Sequence, residues 1–161
     1  MQGRIARFLG AARSLRMKSV RLLVIVVAGL ISAAVGQGGN SVDTTFQRLA
    51  KVDRFAFGGI GYAGVTSQGE KDYKLVLSRP SAMDDFEKLL AIGNPQAKSY
   101  ALVGIRSLNP KRYEELSRPF HDSKDNVVTQ SGCIEWREPL SKVLQRIEAG
   151  EYSKLQQRRY R

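Results

Sequence analysis

One cysteine (Cys133), one histidine (His121) and one tryptophan (Trp136) stand in 161 residues. A lone cysteine excludes an internal disulfide, so stability must come from a hydrophobic core. One His with one Cys cannot assemble the ligand sets of structural zinc. Asp122 and Asp125 do not have the spacing of a calcium loop. No metal and no cofactor is expected. Acid is missing from the start of the chain, with no Asp or Glu before Asp43. No apolar run reaches the roughly 20 residues that cross a bilayer.

The amino-terminal region instead holds a shorter greasy run. The fourteen residues Leu22 to Val35, LLVIVVAGLISAAV, carry no charge, and six bases precede them (Arg4, Arg7, Arg13, Arg16, Lys18, Arg21). A basic lead, an apolar core of 7–15 residues and a small-residue exit describe a secretory signal peptide. Ala34-Val35-Gly36 places cleavage before Gln37, and Ser32-Ala33-Ala34 is a second exit. The other reading is an uncleaved membrane anchor over residues 20–36. Met17-Lys18-Ser19-Val20-Arg21 makes a complete signal start by itself, so Met17 is a candidate true initiator. If residues 1–16 are translated, they form a basic segment suited to the cytoplasmic membrane face.

Charge is concentrated at the two ends. Residues 1–36 hold six bases and no acid, and the tail over residues 154–161 holds four more bases. The body between them, residues 37–153, carries sixteen bases against fifteen acids. Nucleic-acid binding needs a basic stripe on a folded surface, so no nucleic acid is expected as a partner. Membrane contact is open to the greasy segment, if uncleaved, and to the basic tail.

Residues 37–153 suffice for one domain with its own core. The pattern predicts a mainly α fold, a compact bundle of about five to six short helices with a small β-hairpin. Gln37 to Ser41 reads as a flexible lead-in, and Val42 to Val52 as a helix. Ser67-Gln68-Gly69-Glu70 is a capping box opening a helix that ends before Pro80. Ser81 starts the next, with Asp84 and Asp85 at the positive end of its macrodipole. Asn94-Pro95 and Asn109-Pro110 each place Asn at an N-cap and Pro at the first helical position. Ala97, Tyr100, Ala101, Gly104, Ile105 and Leu108 share one face, whose small members imply close approach of another helix. Phe120 to Asn126 reads as a polar loop. Val127 to Trp136 reads as two strands around Ser131-Gly132, and Pro139 opens a last helix ending before Gly150.

Short helices joined by Asn-Pro turns over residues 67–118 resemble, in pattern only, HEAT-type helix hairpins. FAFGGIGYAGVTSQGE, followed by NPQAKSYALVGIRSL, resembles exported bacterial proteins of unknown function. That likeness implies export and no site residues.

The chemistry-bearing residues are few. Gly59-Ile60-Gly61-Tyr62-Ala63-Gly64 spells G-x-G-x-x-G after a strand-like RFAF. The helix begins only near Ser67, too late to aim its N–H groups at a pyrophosphate, so a tight turn or close packing is expected of these glycines. Cys133 with His121 is the one pair able to serve nucleophilic catalysis, with Asn126, Asp122 or Asp125 as orienting group. The competing expectation is a small buried thiol and a solvated or capping histidine. Asp84/Asp85 and Glu114/Glu115 are adjacent pairs, so on a helix they diverge by about 100° and read as solvated surface. Tyr62, Trp136 and Arg137 are the binding candidates, exposed aromatics beside Arg being common interface anchors. Burial of Trp136 between hairpin and last helix is the alternative.

These features point to an exported, non-catalytic interaction or accessory protein of the cell envelope, periplasmic or extracellular, whose partner is a protein or peptide. Two alternatives stand beside it. One is a small hydrolase or thiol enzyme using Cys133 and His121. The other is a membrane-anchored domain binding a lipid or peptide in a cleft lined by the Gly-rich segment.

Overall fold

Helix signals in this sequence are mostly local, and the computed structural model, which describes residues 39–153, honours nearly all of them. Six α-helices and one short 3-10 helix accompany two small antiparallel strand pairs, where one hairpin was expected. Helix α1 is Gly39–Ala50. It starts before Val42, because Phe46, Leu49 and Ala50 dock in the core and extending a formed helix backward is easier than nucleating one. The greasy run and the basic tail, with the export and anchor readings placed on them, lie outside the described residues. Among those residues no helix is long and apolar enough to cross a membrane.

Helix α2, Gln68–Leu77, begins as the capping box requires: the Ser67 hydroxyl oxygen accepts from Glu70 N at 3.0 Å. The box is only half built. The Glu70 carboxylate does not return to Ser67 but turns inward, accepting from Gly58 N at 2.8 Å and pairing with Lys74 at 2.8 Å. Helix α3 is Ala82–Ile92 and helix α4 is Pro95–Leu108. The Asn94 side chain caps α4 by accepting from Ala97 N at 2.9 Å, and Asn109 caps helix α5, Pro110–Ser117, by accepting from Arg112 N at 3.1 Å. A single 3-10 turn, Arg118–Phe120, follows.

Helices α3 and α4 pack against each other at a glycine. A Cβ at Gly104 would lie 2.4 Å from the Phe86 ring, so hydrogen alone fits there. Tyr100, also on α4, reaches into the Gly-rich segment. Its hydroxyl donates to Ala56 O at 2.8 Å and accepts from Ala56 N at 3.0 Å. Burial pushes its pKa up to about 12. Rings of Phe55, Phe57, Tyr73 and Tyr100 meet at 4.9–5.9 Å, the spacing at which edge-to-face contacts are favourable. Leu108, assigned to the buried face, is 43% exposed because α4 ends there.

Strands β1 (Gly59–Ile60) and β2 (Val65–Thr66) pair as Gly59↔Thr66 and Ile60↔Val65. Strands β3 (Asn126–Ser131) and β4 (Ile134–Pro139) pair from Asn126↔Pro139 to Ser131↔Ile134. Parallel bridges Phe55↔Thr129 and Ile60↔Gly132 join the two hairpins in the spatial order β2-β1-β3-β4. Helix α6, Leu140–Glu148, buries Leu140, Val143, Leu144 and Ile147, the apolar stripe its sequence spells.

Candidate functional site

The glycines of G-x-G-x-x-G are consumed in a turn. Gly61 and Gly64 have φ of +67° and +60°, values that side-chain-bearing residues rarely adopt. The chain folds back between β1 and β2 instead of opening a helix, and α2 starts only at Gln68. At the other hairpin Gly132 has φ of +56° and, with Cys133, makes the two-residue link between β3 and β4.

These two turns are tied together through main-chain atoms. Gly61 N donates to Gly132 O at 2.8 Å, and Gly132 N donates to Gly59 O at 3.2 Å. Further along, Phe55 N donates to Val128 O at 2.7 Å and Gln130 N to Phe55 O at 3.0 Å. Arg54 clamps the seam, reaching Gln130 Oε1 at 3.0 Å, Asp53 at 3.0 Å and Glu135 at 3.2 Å. Asp53 is held below the usual carboxylate range, chiefly by its hydrogen bond from Arg54.

On this rigid frame the side chains of the turns face water. Tyr62 is fully exposed, Ile134 is 69% exposed and Val65 57% exposed. Cys133 is exposed too. The expectation of a buried thiol is therefore corrected: Cys133 sits in the turn rather than on a strand, so no sheet face is available to cover it. Three apolar side chains and a thiol are thus exposed in or beside two joined turns. Tyr62 was picked out from sequence. Val65 and Ile134 were not, because a β-branched residue in a short strand reads as a core position, and only the bridge between Ile60 and Gly132 brings their two hairpins together.

Trp136 and Arg137 do not share a surface. Successive residues on a strand point to opposite faces. Trp136 faces inward opposite Thr129, half-buried, with the Arg146 guanidinium of α6 5.5 Å from its ring and its indole N–H donating to Glu138 at 3.1 Å. It occupies the place between hairpin and last helix that the alternative reading gave it. Arg137 lies on the outer face, exposed, opposite Val128.

Cys133 and His121 are likewise not brought together. His121 follows the 3-10 turn and faces the end of α6, its Nε2 3.6 Å from Glu148 Oε1. The groove it lines contains no cysteine, and Asn126, Asp122 and Asp125 are exposed residues outside it. Cys133 lies beside the glycines of the β1–β2 turn. The pair has no shared cleft in which to act as nucleophile and base.

Among the described residues two carboxylates are buried: Asp72, which the sequence reading missed, and Glu70, which it read only as a helix cap. Asp72, on α2, receives two hydrogen bonds from Arg48, at 2.7 and 3.1 Å, and one from Gln68 at 3.0 Å. Glu70 holds the Gly58 amide. Both are structural anchors, joining α1 and the Gly-rich segment to α2. Four-residue spacing of Gln68 and Asp72 was the available signal. The partner Arg48 comes from another helix and leaves no local trace.

No protein-family model matches the chain, and neither a curated protein nor a solved structure matches it.

Proposed function

We propose that this chain is an exported, non-catalytic accessory protein of the cell envelope that binds a protein or peptide through its joined hairpin turns. One observation carries the binding half: Tyr62, Val65 and Ile134 are held in water on a frame whose own main chain is hydrogen-bonded turn to turn. A tyrosine, with two side-chain torsions, on a main chain already held by hydrogen bonds loses little conformational freedom when a partner covers it. The export half rests on the basic lead and apolar core of residues 4–35.

Cys133 supplies the test, because it is the single cysteine and is exposed within the patch. A thiol-directed photo-crosslinker attached there in the full chain should yield one discrete adduct in an envelope fraction. That adduct should vanish when Tyr62→Ser and Ile134→Ser are combined. An adduct pattern indifferent to those substitutions overturns the binding surface. Recovery of the uncleaved chain from the cytosol overturns export.

A further inference from the structure

Away from the glycine turns, α4, α5 and the end of α6 enclose an open groove of about 410 Å³, lined by Arg106, Tyr113, Ser117, Arg118, His121 and Glu148, with Glu114 beside them. Tyr113 is 4% exposed, and its buried hydroxyl makes no well-formed hydrogen bond. A buried polar group left without a good partner is costly, and such groups are few in native proteins.

The neighbours do not relieve it. Arg106 stacks on the Tyr113 ring at 5.5 Å. Its terminal nitrogens donate elsewhere, to the carbonyls of Ile147 and Glu148, closing the end of α6. Burial raises the Tyr113 pKa, the Glu148 carboxylate raises it further, and Arg106 opposes them. Both charged groups also act on the hydroxyl through weak side-chain hydrogen bonding, but neither reaches the distance and angle of a well-formed hydrogen bond. Arg118 is exposed and its guanidinium has no partner among the described residues. His121 stands 3.6 Å from Glu148, beyond hydrogen-bond length.

Three donors therefore line the groove, and Glu148 approaches two of them, the His121 ring at 3.6 Å and the Tyr113 hydroxyl, without a well-formed hydrogen bond to either. Glu148 also occupies the last turn of α6, where the negative end of the helix dipole disfavours an acid. Its side chain is 39% exposed and has room to swing out.

We propose that the groove binds a carboxylate carried by a ligand, with Arg118 and His121 meeting its oxygens, the Tyr113 hydroxyl donating to it, and Glu148 holding that place until the ligand displaces it. A carboxylate fits better than a phosphate because only one uncommitted guanidinium is offered, and Glu114 and Glu148 keep the rim from becoming strongly positive. The site shares no residue with the hairpin turns, so it stands or falls independently of them.

His121 is the only histidine, so its ring signals in a carbon–proton NMR spectrum of the full chain report on the groove alone. Two probes distinguish the source of the carboxylate: sodium succinate, and an acetylated, amidated peptide with one central aspartate, each against sodium chloride at equal ionic strength. A saturable shift with succinate assigns a small acid, and one with the peptide alone assigns a protein-borne carboxylate. Arg118→Ala should weaken binding by roughly tenfold or more. Tyr113→Phe should weaken binding while leaving stability unchanged or improved, because it deletes a poorly bonded hydroxyl. Glu148→Gln should tighten binding by removing the competitor. No saturable shift with either probe, a shift matched by chloride, or weaker binding in Glu148→Gln overturns the proposal.

Discussion

Gly104 and Gly132 do opposite work in the two halves of this molecule. At Gly104 the missing side chain lets α4 close on the Phe86 ring of α3. At Gly132 it lets the main chain adopt φ of +56° in empty surroundings, with nothing within 4 Å of a would-be Cβ. The helical half uses small residues to remove space. The hairpin half uses them to turn the chain, and leaves Tyr62, Val65 and Ile134 uncovered. Stability and the candidate contact surface thereby reside in different elements, so damage to one should leave the other measurable.

The largest effect should come from emptying the helical contact. Phe86 is fully buried, and Gly104 has no side chain to fill the space it would leave, so Phe86→Ala should cost about 3–5 kcal/mol in urea denaturation. A loss under 1 kcal/mol would mean that the α3–α4 contact is not the seat of stability.

Alkaline pH should come next. The Tyr100 phenol titrates near 10 when unfolded and is pushed up to about 12 when folded. Between those values the unfolded chain has released a proton that the folded chain still holds. Stability should therefore be intact below about pH 10 and fall on the order of 2–3 kcal/mol by about pH 12. Tyr113 and Tyr152, also raised by burial, should steepen the fall. Tyr100→Phe should flatten it while costing about 1–3 kcal/mol at neutral pH, since both main-chain groups of Ala56 lose their partner. Denaturant midpoints across the alkaline range read both effects.

Gly132→Ala should cost about 1–2 kcal/mol, the penalty of a left-handed conformation for a residue with a Cβ. Amide exchange at Gly61, whose N–H is bound to Gly132 O, should quicken as the two turns loosen. Smallest of all should be Tyr62→Ser, within about 0.5 kcal/mol of the parent chain in stability, though combined with Ile134→Ser it abolishes the crosslink at Cys133. If Tyr62→Ser destabilised the fold like Phe86→Ala, the separation of the two halves would fail.

Much of the helical half was readable. Ser67, Asn94 and Asn109 cap where their spacing to the following amide demands, and the stripe Leu140, Val143, Leu144 and Ile147 is buried. The second strand pair was missed because two-residue strands carry no periodicity to detect. Cys133 was misplaced because the turn was read one residue early, at Ser131-Gly132, whereas the link is Gly132-Cys133. The Tyr113 groove was invisible: Arg106, Tyr113, Arg118, His121 and Glu148 belong to four separate segments, and nothing local ties them.

The sequence by itself determined where helices start and stop and which faces turn inward, because caps, prolines and apolar spacing act over three or four residues. Tertiary structure alone decided that two glycine turns share hydrogen bonds, that Trp136 and Arg137 part company, and that a tyrosine hydroxyl is buried without a good partner. Those outcomes depend on residues far apart in the chain meeting in space, and such pairings are selected by the packing of the whole core.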